Sequence, residues 1–415
     1  MTTQAFVPKR FIGLDIHKHY LVASGVDADL NPVLGLQRVE YIHLDHWMAR
    51  TLHPDDALVI EMTTNTWQIY DDLLPHVGSV TVVHPPHVTL ITRSQVMNDK
   101  IAATTLARLL AKGLLVGIWV PPKEVQDLRA LIAQRNKMTR LATQSKNRLH
   151  AILHQHHVLP PAGDIFREDQ QAWWLALELA PTEKVNLQSN LETLSFANRQ
   201  IARMEDLLKS LAAKDPRVTR IIQLPGFGLI NAMSILAAIG IIERFPTPTK
   251  LVGYAGLGGR VHSSGQTFRQ GRITKAGRRD LRSAVVEAAQ AAVNTHPHWK
   301  AELERLLPRL GRNKAIVAIA RKLLVAVWHI LANHETDRFA QPQIVARKMM
   351  QFTYLLGKAN RPANLSTGQY VRQQLDNLGL AAEITQIDWG PKKAPIKLPP
   401  SELATKKKVS DIPRR

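Results

Sequence analysis

The chain has 415 residues, long enough for two or three domains with proper cores. Its 54 Lys and Arg against 34 Asp and Glu give a formal charge of +20, which points to a polyanionic partner held by counterion release from phosphates. The absence of cysteine excludes disulfides, zinc–thiolate sites and a Cys nucleophile. No apolar run reaches the ~18 residues of a membrane span and Met1-Thr2-Thr3-Gln4 has no signal-peptide pattern, so a cytoplasmic protein with no membrane partner is expected.

Residues 8–120 alternate strand and helix patterns. Strands are expected at Phe11–Ile16, Tyr20–Val26, Val33–Val39, Ala57–Glu61 and Val80–Val83. Short polar turns join the first three, as in an antiparallel meander. Helical patterns at Thr66–Leu74 and Lys100–Lys112 separate the later ones, as in βα crossovers. That order predicts an RNase H-like mixed sheet over residues 1–122, ended by Pro121-Pro122.

A long helix is expected from Glu124 to about His157 and another from Leu187 to Lys214. Two successive amphipathic helices of this length predict an antiparallel coiled-coil arm over 123–214. Residues 215–335 read as a mainly helical third domain. It opens on Asp215-Pro216 and carries helices Ile230–Ile239, Asp280–Asn294 and Lys314–Ala332 around a Gly-rich loop. Residues 336–415 read as a basic extension with helices at Gln341–Gly357 and Thr367–Leu378. Its last part, 391–415, holds eight Lys/Arg and two Asp/Glu and is expected to be disordered when free.

Three acids end or open these elements: Asp15 after Phe11-Ile12-Gly13-Leu14, Glu61 after Leu58-Val59-Ile60, and Asp99 at the start of a helix. Hard ions such as Mg²⁺, or Mn²⁺, need oxygen ligands, and divalent ions promote phosphodiester displacement, so such a cluster suits strand cleavage. A helix puts positions three apart on one face, so Asp99's partner would stand at 102, where the residue is Ala102. Leu224-Pro225-Gly226-Phe227-Gly228 before an apolar helix suggests a helix-hairpin-helix element whose backbone approaches phosphate, or equally an ordinary interhelical turn. Ser264, in the Gly256–Gly265 loop, is followed by cations that could offset the charge developed when a hydroxyl attacks a phosphodiester. The nucleic-acid surface is expected at Arg129, Arg135, Lys137, Arg140, Lys146 and Arg148 on the first long helix. It continues at Arg269, Arg272, Lys275, Arg278 and Arg279 after the serine, and in the tail Lys392–Arg415.

Taken together these residues closely resemble the DEDD transposases of the IS110/IS1111 group, described as bridge-RNA-guided recombinases. The resemblance rests on Gly13-Leu14-Asp15-Ile16-His17-Lys18, Glu61 and His84-Pro85. In the second half it rests on Pro225-Gly226-Phe227-Gly228, Tyr254-Ala255-Gly256-Leu257, Ser264-Gly265, Arg272-Ile273-Thr274-Lys275-Ala276-Gly277 and Ala320-Arg321-Lys322-Leu323. It spans residues 10 to about 335. It implies a RuvC-like domain in which Asp15, Glu61 and Asp99 bind metal. It further implies a nucleophilic serine at Ser264, with Ser263 as the lesser choice, joining covalently to DNA in a composite site with the carboxylates. The partners it implies are a guide (bridge) RNA, target DNA and donor DNA, held by a homo-tetramer built as a dimer of dimers. Its setting would be the bacterial cytoplasm, on the nucleoid when bound to DNA. Where the family reads Asp-x-x-Asp-Ala, this chain reads Asp99-Lys100-Ile101-Ala102-Ala103, an Asp-to-Ala change expected to inactivate it. The alternatives from the residues alone are a RuvC-like structure-specific nuclease using water, and a non-catalytic nucleic-acid-binding protein. A covalent protein–DNA adduct in Ala102→Asp protein would separate the first reading from both.

Overall fold

The computed structural model describes residues 6–86, 98–264, 267–389 and 394–403, without the side chains of 261–270. The chain forms two compact units, Met1–Pro122 and Lys123–Arg415.

The first unit is built on a five-stranded mixed sheet. Its strands are β1 (Arg10–Ile16), β2 (Tyr20–Val26), β3 (Pro32–Glu40), β4 (Asp56–Glu61) and β5 (Ser79–Val83), in the order β3-β2-β1-β4-β5. The β1–β2 and β2–β3 pairs are antiparallel, and the β1–β4 and β4–β5 pairs parallel. The meander and crossovers expected from the turn pattern are thus present. Among the described residues the unit also has the α-helices α1 (Leu44–Thr51), α2 (Thr66–Leu73) and α3 (Asp99–Ala111). Ala57, Leu58, Val59 and Ile60 of β4 are all buried, the continuous apolar run of a strand covered on both faces. Leu58 and Ile60 join Ile12, Leu14, Leu21, Ile69 and Leu73 on one side, whereas Val59 joins Val83 and Leu106 on the other. Where β1 and β4 begin, Arg10 grips the fully buried Asp56 through two bonds of 2.7 Å, a forked pair that satisfies the buried charge.

Gly13 decides how closely α3 approaches the sheet. A Cβ there would lie 2.1 Å from the Ala103 carbonyl oxygen and 2.7 Å from the Ala107 nitrogen. The missing side chain lets the α3 backbone rest on β1.

In the second unit, α4 (Lys123–Gln155) and α6 (Pro181–Lys214) flank the short α5 (Gln171–Leu175). The two long helices run antiparallel. Arg135 pairs with Glu205 at 2.6 Å near one end, and His156 with Glu183 at 2.9 Å near the other. Leu149, Leu153, Leu187, Leu194 and Ala197 pack between them, with Trp174 closing that core. Next come α7 (Pro216–Ile222), α8 (Leu229–Ile239) and α9 (Pro248–Tyr254). The strands β6 (Gly259–Ser264) and β7 (Thr267–Ile273) follow, then α10 (Arg279–Thr295), α11 (Pro297–Leu310) and α12 (Arg312–Ala332). Helix α11 has no counterpart among the helices expected from sequence. Its Pro297 occupies the first turn, where proline is tolerated.

Helix α12 is interrupted by Lys314, Arg321 and Lys322, so no uncharged run in it reaches the ~18 residues of a membrane span. It is long and apolar enough, by length and composition, to cross a membrane. Here its apolar residues, Ile316, Ile319, Leu323, Leu324 and Val327 among them, are buried in the core of the unit. Lys322 in its middle pairs with Glu302 of α11.

The segment after residue 335 is not a loose addition. Helices α13 (Pro342–Leu356) and α14 (Thr367–Asn377), and the short strands β8 (Gln386–Ile387) and β9 (Ile396–Lys397), share the same core through Met349, Met350, Val371, Leu375, Ile387 and Leu398. Residues 394–403 correct part of the disordered-tail expectation. Leu398 and Ser401 are buried, the Ser401 hydroxyl donates to Asp376 at 2.7 Å, and the Pro399 carbonyl accepts from Arg372 at 2.9 Å. Residues 404–415 lie outside the described residues.

Candidate active site

Parallel pairing of β1 with β4 runs to Leu14 beside Ile60, so Asp15 and Glu61 follow side by side at the ends of adjacent strands. Asp99 occupies the first turn of α3, which Asn98 caps by accepting from the Ile101 N–H at 2.9 Å. A carboxylate there is favoured by the helix N-terminus. With α3 lying on Gly13, Asp99 is brought to the end of β1.

Among the described residues, the side chains that converge are Asp15, His17 and Asp99, whose ligand atoms lie within 4.8 Å of one another. His17 Nε2 is 3.4 Å from Asp15 Oδ2 and 3.2 Å from Asp99 Oδ2. Glu61, expected in the same set, stands beside this trio. It is coupled to it through the charge of Asp15. Position 102 lies one turn along α3 from Asp99, and the methyl of Ala102 offers no ligand.

The electrostatics are those of acids held together with only a histidine to oppose their mutual repulsion. Burial raises the Asp15 carboxyl above the ordinary aspartate value; His17 opposes the rise and the charge of Asp99 adds to it. Burial, then the charge of Asp15, raises Glu61. Carboxylates desolvated together without Lys or Arg partners are poised for a cation. The donor set fits a divalent ion: carboxylate oxygens and an imidazole nitrogen that lie within 4.8 Å of one another.

Side chains around the trio hold it in place. Tyr20 donates its hydroxyl to Asp99 Oδ2 at 3.0 Å, stacks on the His17 ring at 4.5 Å and carries Arg38 over its face at 4.0 Å. Tyr41 donates to the His17 carbonyl at 2.6 Å, and Asn65 donates to the Tyr41 hydroxyl at 3.0 Å. Sequence reading gave no role to His17 or Tyr20. The signal for His17 was present, since alternation puts Asp15 and a residue two further on to the same side.

In the second unit, the expected serine loop is a hairpin. Ser264 is the last residue of β6 and pairs with Thr267, so Gly265 and Gln266, outside the described residues, are all that separates the strands. A Gly-X pair between two extended runs is a hairpin signal that the loop reading overlooked. The side chains of Ser263, Ser264 and Arg269 lie outside the described residues. At the Leu224–Gly228 turn, Gly226 has φ +83°, and a Cβ there would meet the Ala288 carbonyl oxygen of α10 at 2.0 Å. Its missing side chain therefore serves a close helix contact, which favours the interhelical-turn reading over approach to phosphate.

The basic residues divide. Arg129 donates to the Ala237 and Ala238 carbonyls at the end of α8, at 2.8 and 3.0 Å, and Arg135 spends its guanidinium on Glu205. Both hold helices together, a role that their place in a basic helix did not announce. Arg278 is half-buried and pairs with Asp280, while Lys146 lies over the Phe166 ring. Lys137, Arg140 and Arg148 are exposed along α4, as are Arg272, Lys275 and Arg279 beside the hairpin.

The sequence is similar to those of known transposases. The DEDD transposase model of the IS110 type matches residues 12–158, and the model "Transposase IS116/IS110/IS902 family" matches residues 218–304. The transposase for insertion sequence element IS1111A of Coxiella burnetii is 26% identical over 337 residues, covering 79% of this chain and 91% of that protein. A probable family 20 transposase of Pseudomonas aeruginosa is 27% identical over 344 residues, covering 79% and 98%. The pilin gene-inverting protein of Moraxella bovis is 25% identical over 340 residues, covering 78% and 96%. With an N-terminal and a C-terminal signature matched in order and relatives aligned along most of its length, the chain belongs to the IS110/IS1111 family of DEDD transposases.

Proposed function

We propose that this protein recombines DNA through an RNase H-like, RuvC-like metal site and a nucleophilic serine, at target and donor sites chosen by a structured guide RNA. The observation that carries the proposal is the convergence of Asp15 and Asp99 at the ends of β1 and the start of α3, with Glu61 on the next strand. The strand order β3-β2-β1-β4-β5 supports the RNase H-like reading. Asp15, Asp99 and Glu61 would hold a divalent ion, Mg²⁺ or Mn²⁺, which supplies charge neutralisation at a phosphodiester. Ser264 is the nucleophile: its hydroxyl forms an ester to one DNA end and releases the other end as a hydroxyl, and the reverse reaction with a new hydroxyl rejoins strands. The DNA and RNA backbones are gripped by exposed cations such as Lys137, Arg140, Arg148, Arg272 and Arg279. That grip positions the duplex and leaves sequence choice to base pairing. A tetramer built as a dimer of dimers is the working assembly. A relative named for inverting a pilin gene fits strand exchange between two sites.

Ala102 removes one acid from the family's set, so strand cleavage should be weak in the chain as it stands. Ala102→Asp should raise Mg²⁺-dependent cleavage at least tenfold and yield a covalent protein–DNA adduct. In that background Ser264→Ala should abolish the adduct while nucleic-acid binding stays within a fewfold, because the change removes no charge. Cleavage by water with no adduct would instead make the protein a structure-specific nuclease. An adduct lost in Ser263→Ala but kept in Ser264→Ala would move the nucleophile by one residue. Sequencing of co-purifying RNA tests the guide: one discrete structured RNA supports it, and random cellular RNA counts against it.

A further inference from the structure

We infer that His17 is itself a ligand of the metal centre and tilts its ion preference from Mg²⁺ toward Mn²⁺ or Co²⁺, an inference that rests on the metal-site reading above. Three observations carry it. The Nε2 atom of His17 lies 3.4 and 3.2 Å from carboxylate oxygens of Asp15 and Asp99, and the three ligand atoms fall within 4.8 Å of one another. A nitrogen this close to both carboxylates faces the space they share. It is there a lone-pair donor beside two oxygen donors.

The second observation is the clamp on the ring. It stacks on Tyr20, whose hydroxyl is tied to Asp99, and the His17 backbone carbonyl is held by Tyr41, itself held by Asn65. Neighbours that fix the orientation of a ligand are a recurring feature of protein metal sites. A surface histidine adopting one of many rotamers would need no such support.

The third observation is the composition of the donor set. Ala102 leaves this site one carboxylate short of the four-acid pattern, with an imidazole among the three donors that converge. Mg²⁺ demands near-ideal octahedral oxygen ligation, whereas first-row transition ions accept imidazole readily. The nitrogen thus lowers the site's fitness for Mg²⁺ more than for Mn²⁺ or Co²⁺.

The test uses the full-length chain loaded with Mn²⁺. Pulsed electron paramagnetic resonance should detect ¹⁴N coupling to the bound ion, which needs no variant. That coupling should vanish in both His17→Gln and His17→Ala. The apparent Kd for Mn²⁺ should rise about tenfold or more, while that for Mg²⁺ changes less than threefold. Thermal melts without metal show whether each variant is folded, and Gln keeps most of the side-chain volume if Ala does not. Asp15→Asn serves as the control for the site itself and should abolish specific Mn²⁺ binding. Binding that survives Asp15→Asn overturns the metal-site reading. Binding lost in Asp15→Asn, with no ¹⁴N coupling in the unmodified chain and an unchanged Mn²⁺ Kd in the His17 variants, overturns only the role of His17.

Discussion

Asp15 and Glu61, in the unit formed by residues 1–122, are raised by burial and by carboxylate neighbours, with no Lys or Arg among the causes. Glu302, in the unit formed by residues 123–415, is held down at about 2 by Arg305 and Lys322 despite its burial. Asp280 is likewise lowered by Arg278 against the effect of burial. The same chemical group thus serves two ends. A buried acid with its cation already supplied is a strut, as Asp56 with Arg10 shows even within the first unit. Half-buried acids raised by burial and by a neighbouring carboxylate, with no Lys or Arg set against them, are poised for something that binds.

The strongest challenge to this contrast is Lys348, a buried amine of the second unit on which burial outweighs the opposing charge of Asp337. Burial pushes its ammonium down to about 7, Asp337 opposing, and the amine donates to the Leu224 carbonyl. With an unfolded value of 10.5, the cost of burying the charge is absent above that pH, grows as pH falls and is complete below about 7. The stability of the protein relative to Lys348→Met should therefore rise by on the order of 2–4 kcal/mol between pH 7 and pH 10.5, measured by urea unfolding. A difference that stays flat would mean that water or a charge partner already reaches the amine.

Gly13→Ala sharpens the contrast from the other unit. The new methyl collides with the Ala103 carbonyl, and overpacking of this kind costs about 1–3 kcal/mol. Because α3 must lift from β1, Asp99 leaves Asp15, and Mn²⁺ affinity should fall alongside stability. Destabilisation with unchanged Mn²⁺ affinity would show that closeness of the two acids is not what the site requires.

Glu302→Gln should cost about 1–2 kcal/mol at neutral pH, since it leaves Arg305 and Lys322 without their shared anion while both remain partly hydrated. The folded value lies below the unfolded 4.5, so this contribution is present above pH 4.5 and lost as pH falls toward 2. Melting curves of the two proteins should converge over that window. If they stay parallel, Glu302 is no strut.

Much of this was readable from the residues, and the failures have physical causes. The β1 and β4 runs are apolar because both are buried, and their terminal acids break the pattern, so strand and ligand were visible together. Helices Pro342–Leu356 and Thr367–Asn377 were legible from their spacing, within a residue or two of their ends. Long-range destinations were not. Arg129 reads as one more cation on a basic helix, and only the fold delivers the α8 carbonyls to it from 108 positions away. Glu61 and His17 exchanged places in the converging trio because sequence order does not reveal which side chain reaches the shared space. Pro297 and Pro308 concealed α11, although one lies in its first turn and the other in its last.

The clasp formed by residues 394–403 has a consequence for synthesis. Arg372 reaches the carbonyls of Ala381, Ile384 and Pro399, and Asp376 accepts from Ser401 and Glu402, so α14 is pinned by residues made after it. A growing chain that has released α14 but not yet Ser401 leaves Asp376 without two of its donors and Arg372 without its Pro399 acceptor. The helical unit closes only when that last stretch clears the ribosome, which makes this the interval most open to proteases and chaperones.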